Sequence, residues 1–178
     1  MLCGPSFSEK FVTQGSVLGL EQFVIYINDL PDVLTCGCSL SADDTLVYQE
    51  VTIAEQEAEF QRNISAVYQW SKQWKVLFNK GKSQLLLFGE TCTPTAVNFK
   101  LGNTTIKRVE EIKYLSVILQ QDLCFDSHID SKLFSARKPF GAIKFMLHDA
   151  TMEGKTLAYS SLCRPILEYA DVIWALVC

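Results

Sequence analysis

Two adjacent carboxylates, Asp43 and Asp44, stand in the stretch CSLSADDTLVYQEV, between two short runs of strand-favouring residues. A tight turn that presents aspartate at the edge of a sheet suits a hard divalent cation. Mg2+ prefers oxygen ligands, keeps several waters and takes one or two protein carboxylates beside the phosphates of a substrate. Asp43 is the first candidate ligand. Asp44, its neighbour on a pleated backbone, points differently and reads as a weaker or supporting one. Aspartate is also a favoured turn residue because its side chain hydrogen-bonds its own backbone, so the pair taken alone reads first as a solvated hairpin tip.

Positioning elements can be read on both sides of this pair. Upstream, Leu20, Phe23, Val24 and Ile27 follow helical spacing, Ser16 is a suitable N-cap, and Pro31 should take Leu30 out of helical geometry, so a helix is predicted over 16–29. Residues 36–41 and 45–51 read as two strands of a hairpin with Ala42-Asp43-Asp44 at its tip. Thr52 with Glu55 forms a capping-box signature ahead of Phe60, Ile64, Val67, Ser71 and Trp74, which predicts a helix of about six turns packed on the same sheet face as the first. Asn79-Lys80-Gly81 supplies a turn, and 83–88 reads as a buried strand. Residues 97–101 and 104–107 flank the turn dipeptide Gly102-Asn103, and 112–119 reads as one more strand. After Asp126 the period becomes helical, with Ile129, Leu133, Ala136, Phe140, Ile143 and Leu147 in a stripe that Pro139 should kink, and Thr151 and Pro165 punctuate a further helical segment.

With 178 residues and 48% apolar content the chain is long enough for one core with a small appendage, and disorder is excluded as a default. No run approaches the ~18–20 apolar residues of a membrane span, and the first residues carry no signal-peptide pattern, so an intracellular chain with no membrane partner is expected, nucleus and cytoplasm not being resolved. Seven cysteines without CxxC spacing argue for reduced thiols rather than a disulfide framework, and His128 and His148 lie too far along the chain to join Cys36 and Cys38 around zinc. The net charge of −4 conceals an asymmetry. Residues 1–60 hold one lysine against ten carboxylates, whereas 61–178 hold fifteen basic side chains against ten acidic ones. That division suits a metal-holding half followed by a half that contacts a nucleic-acid backbone, and equally suits ordinary solvated lysines.

Taken in order, Gln14-Gly15-Ser16, the segment Tyr26-Ile27-Asn28-Asp29-Leu30-Pro31, Ala42-Asp43-Asp44, Asn79 with Lys82, Tyr114-Leu115 and a late LEYADVIW resemble the reverse transcriptases of non-LTR retrotransposons (long interspersed elements) over nearly the whole chain. The resemblance implies an α+β fold: a partial polymerase palm, an antiparallel sheet with two packed helices, followed by a helical thumb-like tail. In those terms 1–12 is an unpatterned lead-in, 13–124 a partial palm with primer-grip strands, and 125–178 the thumb-like region. The implied activity is that of an RNA-directed DNA polymerase acting on an RNA template, a DNA primer and deoxynucleotides with Mg2+ or Mn2+. A pair of such ions stabilises the attacking and leaving oxygens of an in-line displacement. Asp43 and Asp44 would be the catalytic metal ligands, and Gln14, Gly15 and Ser16 would lie against nucleotide and template, where glycine permits close approach and a helix start offers N–H groups to phosphate. Lys82 would aim an ammonium at the leaving pyrophosphate, Tyr114 and Leu115 would support the primer end, and Lys132, Arg137 and Lys138 would follow the backbone.

The chain also departs from the family pattern. An aspartate from an earlier palm strand and the fingers would precede Gln14, and Thr13, Leu20, Glu21, Ser41 and Ser116 replace two prolines, an apolar residue, an aromatic and a glycine that are usual there. The expectation is therefore a truncated copy whose own polymerase activity is nil. The alternative is a non-catalytic nucleic-acid-binding or interaction remnant that keeps the basic residues and whose affinity falls with salt.

Overall fold

The computed structural model describes residues 19–89 and 98–175; Thr13, Gln14, Gly15 and Ser16 lie outside the described residues. The chain mixes helices with small sheets and is α+β. It divides into two compact units. The first holds described residues 19–87 and 98–109, the second 88–89 and 110–175, so the change of period near residue 125 falls inside the second unit. No described helix is long and apolar enough to cross a membrane.

The first unit begins with helix α1 (Gly19–Ile27), which buries Phe23 and Ile27 but leaves Val24 half exposed. It stops earlier than the spacing predicts and passes into a short 3-10 turn, Pro31–Val33. Leu30 keeps right-handed helical dihedrals (φ −59, ψ −41) in front of Pro31, contrary to the sequence expectation. Its side chain is 1% exposed, and that burial outweighs a pre-proline preference that is statistical rather than absolute.

Strands β1 (Gly37–Ser41) and β2 (Asp44–Tyr48) pair antiparallel, with Ser41 opposite Asp44. Alternation sends Cys38, Leu40, Thr45 and Val47 to the core face and puts Gly37, Ser39, Ser41, Asp44, Leu46 and Tyr48 on the other. Tyr48 folds its ring onto Gly37, where a Cβ would come within 2.3 Å of it, so glycine is needed for that approach. Cys36 and Cys38 are free thiols, and burial pushes both above the usual thiol range.

Helix α2 (Ala54–Gln73) starts one residue later than the capping-box reading placed it. Ile53 is the N-cap, and Gln56 rather than Glu55 reaches back, its Oε1 accepting from the backbone N–H of Thr52 at 2.7 Å and of Ile53 at 3.2 Å. Phe60, Ile64, Val67 and Ser71 are buried as spaced, but Trp70 takes the last core position and Trp74 is left at the surface. Trp70 donates its indole N–H to Asp29 at 3.1 Å, and buried Asn63 accepts from the Thr35 backbone at 2.9 Å. The helix ends in a Schellman turn. Val76 N–H donates to Ser71 C=O at 3.0 Å and Lys75 N–H to Lys72 C=O at 3.4 Å, with Lys75 left-handed at φ 58. Residues of α1, α2 and the inner face of the β1–β2 hairpin share one core, which places both helices on the same side of that hairpin.

Among the described residues four two-stranded ladders take the place of one antiparallel sheet. Strands β4 (Lys100–Leu101) and β5 (Thr104–Thr105) flank Gly102-Asn103 as the dipeptide predicts, and Gly102 is left-handed at φ 64. The six-residue strand predicted over 83–88 shrinks to β3 (Gln84–Leu85), because its parallel neighbour β6 (Lys107–Arg108) offers only a two-residue register.

In the second unit the single strand predicted over 112–119 is a hairpin, β7 (Glu111–Tyr114) and β8 (Val117–Gln120). Its two-residue loop, Leu115 at φ 45 and Ser116 at φ 65, has the doubly left-handed backbone of a type I′ turn. Neither residue is a usual occupant, which is why the turn was invisible in the sequence. Helix α3 (Asp126–Met146) continues through Pro139, and α4 (Met152–Leu162) is capped by Thr151, whose Oγ1 accepts from Gly154 N–H at 3.3 Å. Short helices α5 (Arg164–Leu167) and α6 (Asp171–Trp174) follow. Of the predicted α3 stripe only Ala136 is buried, while Leu133 and Phe140 stay about half exposed at 48% and 55%.

A side chain in left-handed backbone costs roughly 1 kcal/mol, partly returned because glycine loosens the unfolded chain. Lys75→Gly and Ser116→Gly should therefore each raise stability, by about 0.5 kcal/mol. Chemical denaturation checks this, and a fall in the midpoint for either variant contradicts it.

Candidate functional site

The hairpin loop is Ala42-Asp43 alone, for Asp44 is already paired in β2 opposite Ser41. The three-residue tip expected from sequence is thus a two-residue one. Two-residue connections favour primed turns because their twist matches that of the strands, and these need positive φ at the first loop position. Ala42 supplies it at φ 49, in a region that disfavours a Cβ. Asp43 is thereby displayed, exposed, at the tip. Asp44 is partly buried on the hairpin face turned away from the core. Burial first, and the neighbouring charge of Asp43 second, hold the Asp44 carboxyl above the usual carboxylate range.

One displayed carboxylate beside a partly desolvated one is a pair that a cation would relieve. The pair fits a divalent ion that takes one or two protein carboxylates and completes its shell with water and phosphate oxygens. Among the described residues no group of three His, Cys, Asp or Glu side chains converges to hold a metal.

Lys82 lies in the same unit, after an Asn79-centred turn. Asn79 Oδ1 accepts from the N–H groups of Gly81 at 3.1 Å and Lys82 at 3.3 Å, and Asn79 C=O accepts from buried Ser83 Oγ at 3.0 Å. This fixes the backbone and leaves the Lys82 side chain exposed; no hydrogen bond or ion pair among the described residues joins it to Asp43 or Asp44.

Tyr114 and Leu115 belong to the second unit, Tyr114 as the last residue of β7 and Leu115 at the exposed turn. The late LEYADVIW segment braces that turn from within the same unit. Tyr169 donates its hydroxyl to Leu115 C=O at 2.8 Å, and Trp174 donates its indole N–H to Tyr169 C=O at 2.9 Å. Lys132, expected along a nucleic-acid backbone, lies with its ammonium 4.4 Å from the Tyr169 ring centroid, and burial, then the charge of Lys113, hold it below the usual lysine range. Arg137 and Lys138 are exposed.

His128, which spacing offered only as a poor zinc ligand, is the fully buried pivot of this unit. Its Nδ1 accepts from Ile118 N–H at 3.2 Å, its ring lies 5.9 Å from that of Trp174, and its Nε2 has no hydrogen-bond partner among the described residues. Burial, then the charge of Lys132, hold it below the usual histidine range.

Residues 2–119 match the family model for reverse transcriptase (RNA-dependent DNA polymerase). The chain belongs to that family. It is 29% identical, over 96% of its own length and 20% of the relative's, to the RNA-directed DNA polymerase from mobile element jockey of Drosophila funebris. It is 26% identical, over 94% of its length and 19% of the relative's, to a probable RNA-directed DNA polymerase from transposon X-element of Drosophila melanogaster. The chain therefore spans about one fifth of the relatives it matches. No solved structure matches it.

A histidine whose folded pKa is depressed lets the unfolded chain bind the extra proton, so stability should fall as pH drops below the unperturbed value of about 6.5. Denaturation midpoints measured against pH should show this loss, and His128→Gln, which keeps an acceptor for Ile118 N–H, should flatten it. The raised pKa of Asp44 acts in the other direction: its ionisation costs folded stability as pH rises through the carboxylate range. Asp44→Asn should accordingly be more stable than the wild type at neutral pH and equal to it in acid; equal midpoints at both would refute the burial argument.

Proposed function

We propose that this reverse transcriptase chain carries the metal-holding hairpin of an RNA-directed DNA polymerase palm, with the primer-supporting hairpin and a thumb-like helical region after it. The supporting observation is the strained two-residue turn that displays Asp43 and sets Asp44 on the uncovered hairpin face. Asp43 and Asp44 would hold Mg2+, or Mn2+, which supplies charge to the oxygens entering and leaving phosphorus. Asp43 offers its carboxylate at the tip, and Asp44, partly desolvated, gains most from a neighbouring cation. Gln14, Gly15 and Ser16 would lie against nucleotide and template by virtue of the family pattern. Lys82, exposed behind a fixed turn, is free to bring its ammonium to a departing pyrophosphate. In the second unit the β7–β8 turn, held through the Leu115 carbonyl by Tyr169, would carry the primer end, and Lys132, Arg137 and Lys138 would lie along the template-primer backbone; Arg137 and Lys138 are the more exposed of the three. RNA template, DNA primer and deoxynucleotides are the partners this reading requires.

The polymerase reading is the ancestral one, and the chain by itself is proposed to be inactive, since the described residues bring only two carboxylates to the turn. A second reading, a non-catalytic nucleic-acid-binding remnant, is favoured by the exposure of Arg137 and Lys138. Mn2+ titration followed by paramagnetic broadening of backbone amides should affect residues 41–46 first, and Asp43→Ala should abolish the effect. Broadening spread evenly over the acidic surface would remove the metal-hairpin reading. Primer extension on an RNA template should be absent for this chain; incorporation that Asp43→Ala abolishes would show that another carboxylate completes the site.

A further inference from the structure

Away from the hairpin tip, the first unit gathers two ammonium groups around one phenol. Tyr68 lies on α2 beside buried Val67, and its ring covers Gly102 so closely that a Cβ there would come within 2.5 Å of Cζ. The glycine turn therefore fixes the ring. Lys72, one helical turn along, places Nζ 4.7 Å from the ring centroid. Lys80, from the turn after α2, places Nζ 4.8 Å from the same centroid and 3.5 Å from the hydroxyl oxygen. Lys80's contact first, and then the charges of both lysines, hold the phenol below the usual tyrosine range.

Among the described residues no carboxylate forms an ion pair with either lysine. The ion pairs among the described residues are His148–Asp149 and Arg164–Glu168, neither of which involves Lys72 or Lys80. The sequence explains the imbalance: residues 61–109 contain eight Lys and Arg side chains and a single acidic one, Glu90. Two like charges held on one ring, in a stretch almost free of carboxylates, form a place that an anion stabilises.

We propose that Tyr68, Lys72 and Lys80 form an anion site that takes phosphodiester groups of a nucleic-acid strand, the hydroxyl donating a hydrogen bond and the two lysines supplying charge. The inference rests on the nucleic-acid part of the reading above. It places a contact on residues of the first unit that the motif pattern does not include, on a segment whose charge is opposite to that of residues 1–60. The charges over the ring suit phosphate rather than a stacked base, so the strand would be held by its backbone without sequence preference.

Anisotropy of a labelled short single-stranded RNA, titrated with the full chain over a range of salt, tests the site. Lys72→Ala/Lys80→Ala should weaken binding about tenfold at low salt and reduce the log–log salt slope by about 1.4, two phosphates at roughly 0.7 each. Tyr68→Phe, which keeps the ring over Gly102, should weaken binding about threefold and leave the slope unchanged, because it removes a donor and no charge. Saturating RNA should also move the Tyr68 phenol titration upward, read from its labelled Cζ carbon, and the double variant should abolish both that shift and the initial depression. Wild-type binding with an unchanged affinity and slope in the double variant overturns the site while leaving the nucleic-acid reading standing. Absence of any RNA binding overturns the site as well, whereas the metal-hairpin reading is judged separately by Mn2+ broadening at residues 41–46.

Discussion

Burial of one face of α2 is the interaction on which the first unit depends. Phe60, Ile64, Val67 and Trp70 are each less than 10% exposed and pack with Phe23, Ile27 and Leu30 against the inner face of the hairpin. Each such side chain contributes about 1.5–3 kcal/mol relative to exposure, more than a typical hydrogen bond between neutral groups at about 0.5–1.5 kcal/mol. Because strand side chains alternate, fixing Thr45 and Val47 inward sets Asp44 outward. A one-residue slip of the ladder would send that carboxylate into the core, so the apolar packing that stabilises the fold also enforces the position of the acidic pair. The polar ties at the edges of this core, Asp29 to Trp70 and Asn63 to Thr35, then orient the chain leading into and out of it.

The second unit is organised differently. Its long helix buries little apolar surface, and its most enclosed side chains include a histidine and Cys163. Beside the buried Ile112, Val117 and Phe125 runs a relay: His128 accepts from β8, Trp174 lies against His128 and donates to the Tyr169 carbonyl, and Tyr169 donates to the turn at Leu115 while its ring receives Lys132. Such a network couples the turn to protonation more tightly than an apolar core would, because the imidazole can accept from Ile118 N–H only while Nδ1 is unprotonated. The same relay explains why one of the basic side chains expected to lie along a strand is instead partly withdrawn onto an aromatic ring.

Charge is segregated along the chain. Acidic side chains crowd the segment that forms the hairpin and the start of α2, and basic ones dominate from Arg62 to Arg108. The proposed reading, a polyanion taken together with divalent cations, requires these two tendencies to be kept apart, since carboxylates that hold a cation also repel phosphate. The first unit carries both, with the acidic turn on one segment and the lysine-flanked phenol on another.

The sequence by itself determined the acidic pair between two strands, the existence of α2 and most of its buried stripe, the turn at Gly102-Asn103, the punctuation at Thr151 and the family. These are local patterns, a period or a turn residue, that announce themselves without knowledge of distant neighbours. Only the tertiary structure decided that Trp70 rather than Trp74 enters the core, that Leu30 stays helical before Pro31, and that Lys75, Leu115 and Ser116 adopt left-handed backbone with no glycine to signal it. It also decided that Asp44 is paired in a strand rather than at the tip, that Lys132 lies on Tyr169, and that Tyr68 meets Gly102 from thirty-four residues away. For Trp70, Leu30 and the register of Asp44, burial against a partner remote in sequence outweighed local propensity. Lys75, Leu115 and Ser116 are exposed, and their backbone is set by the closing bonds of a helix end and by a two-residue hairpin connection.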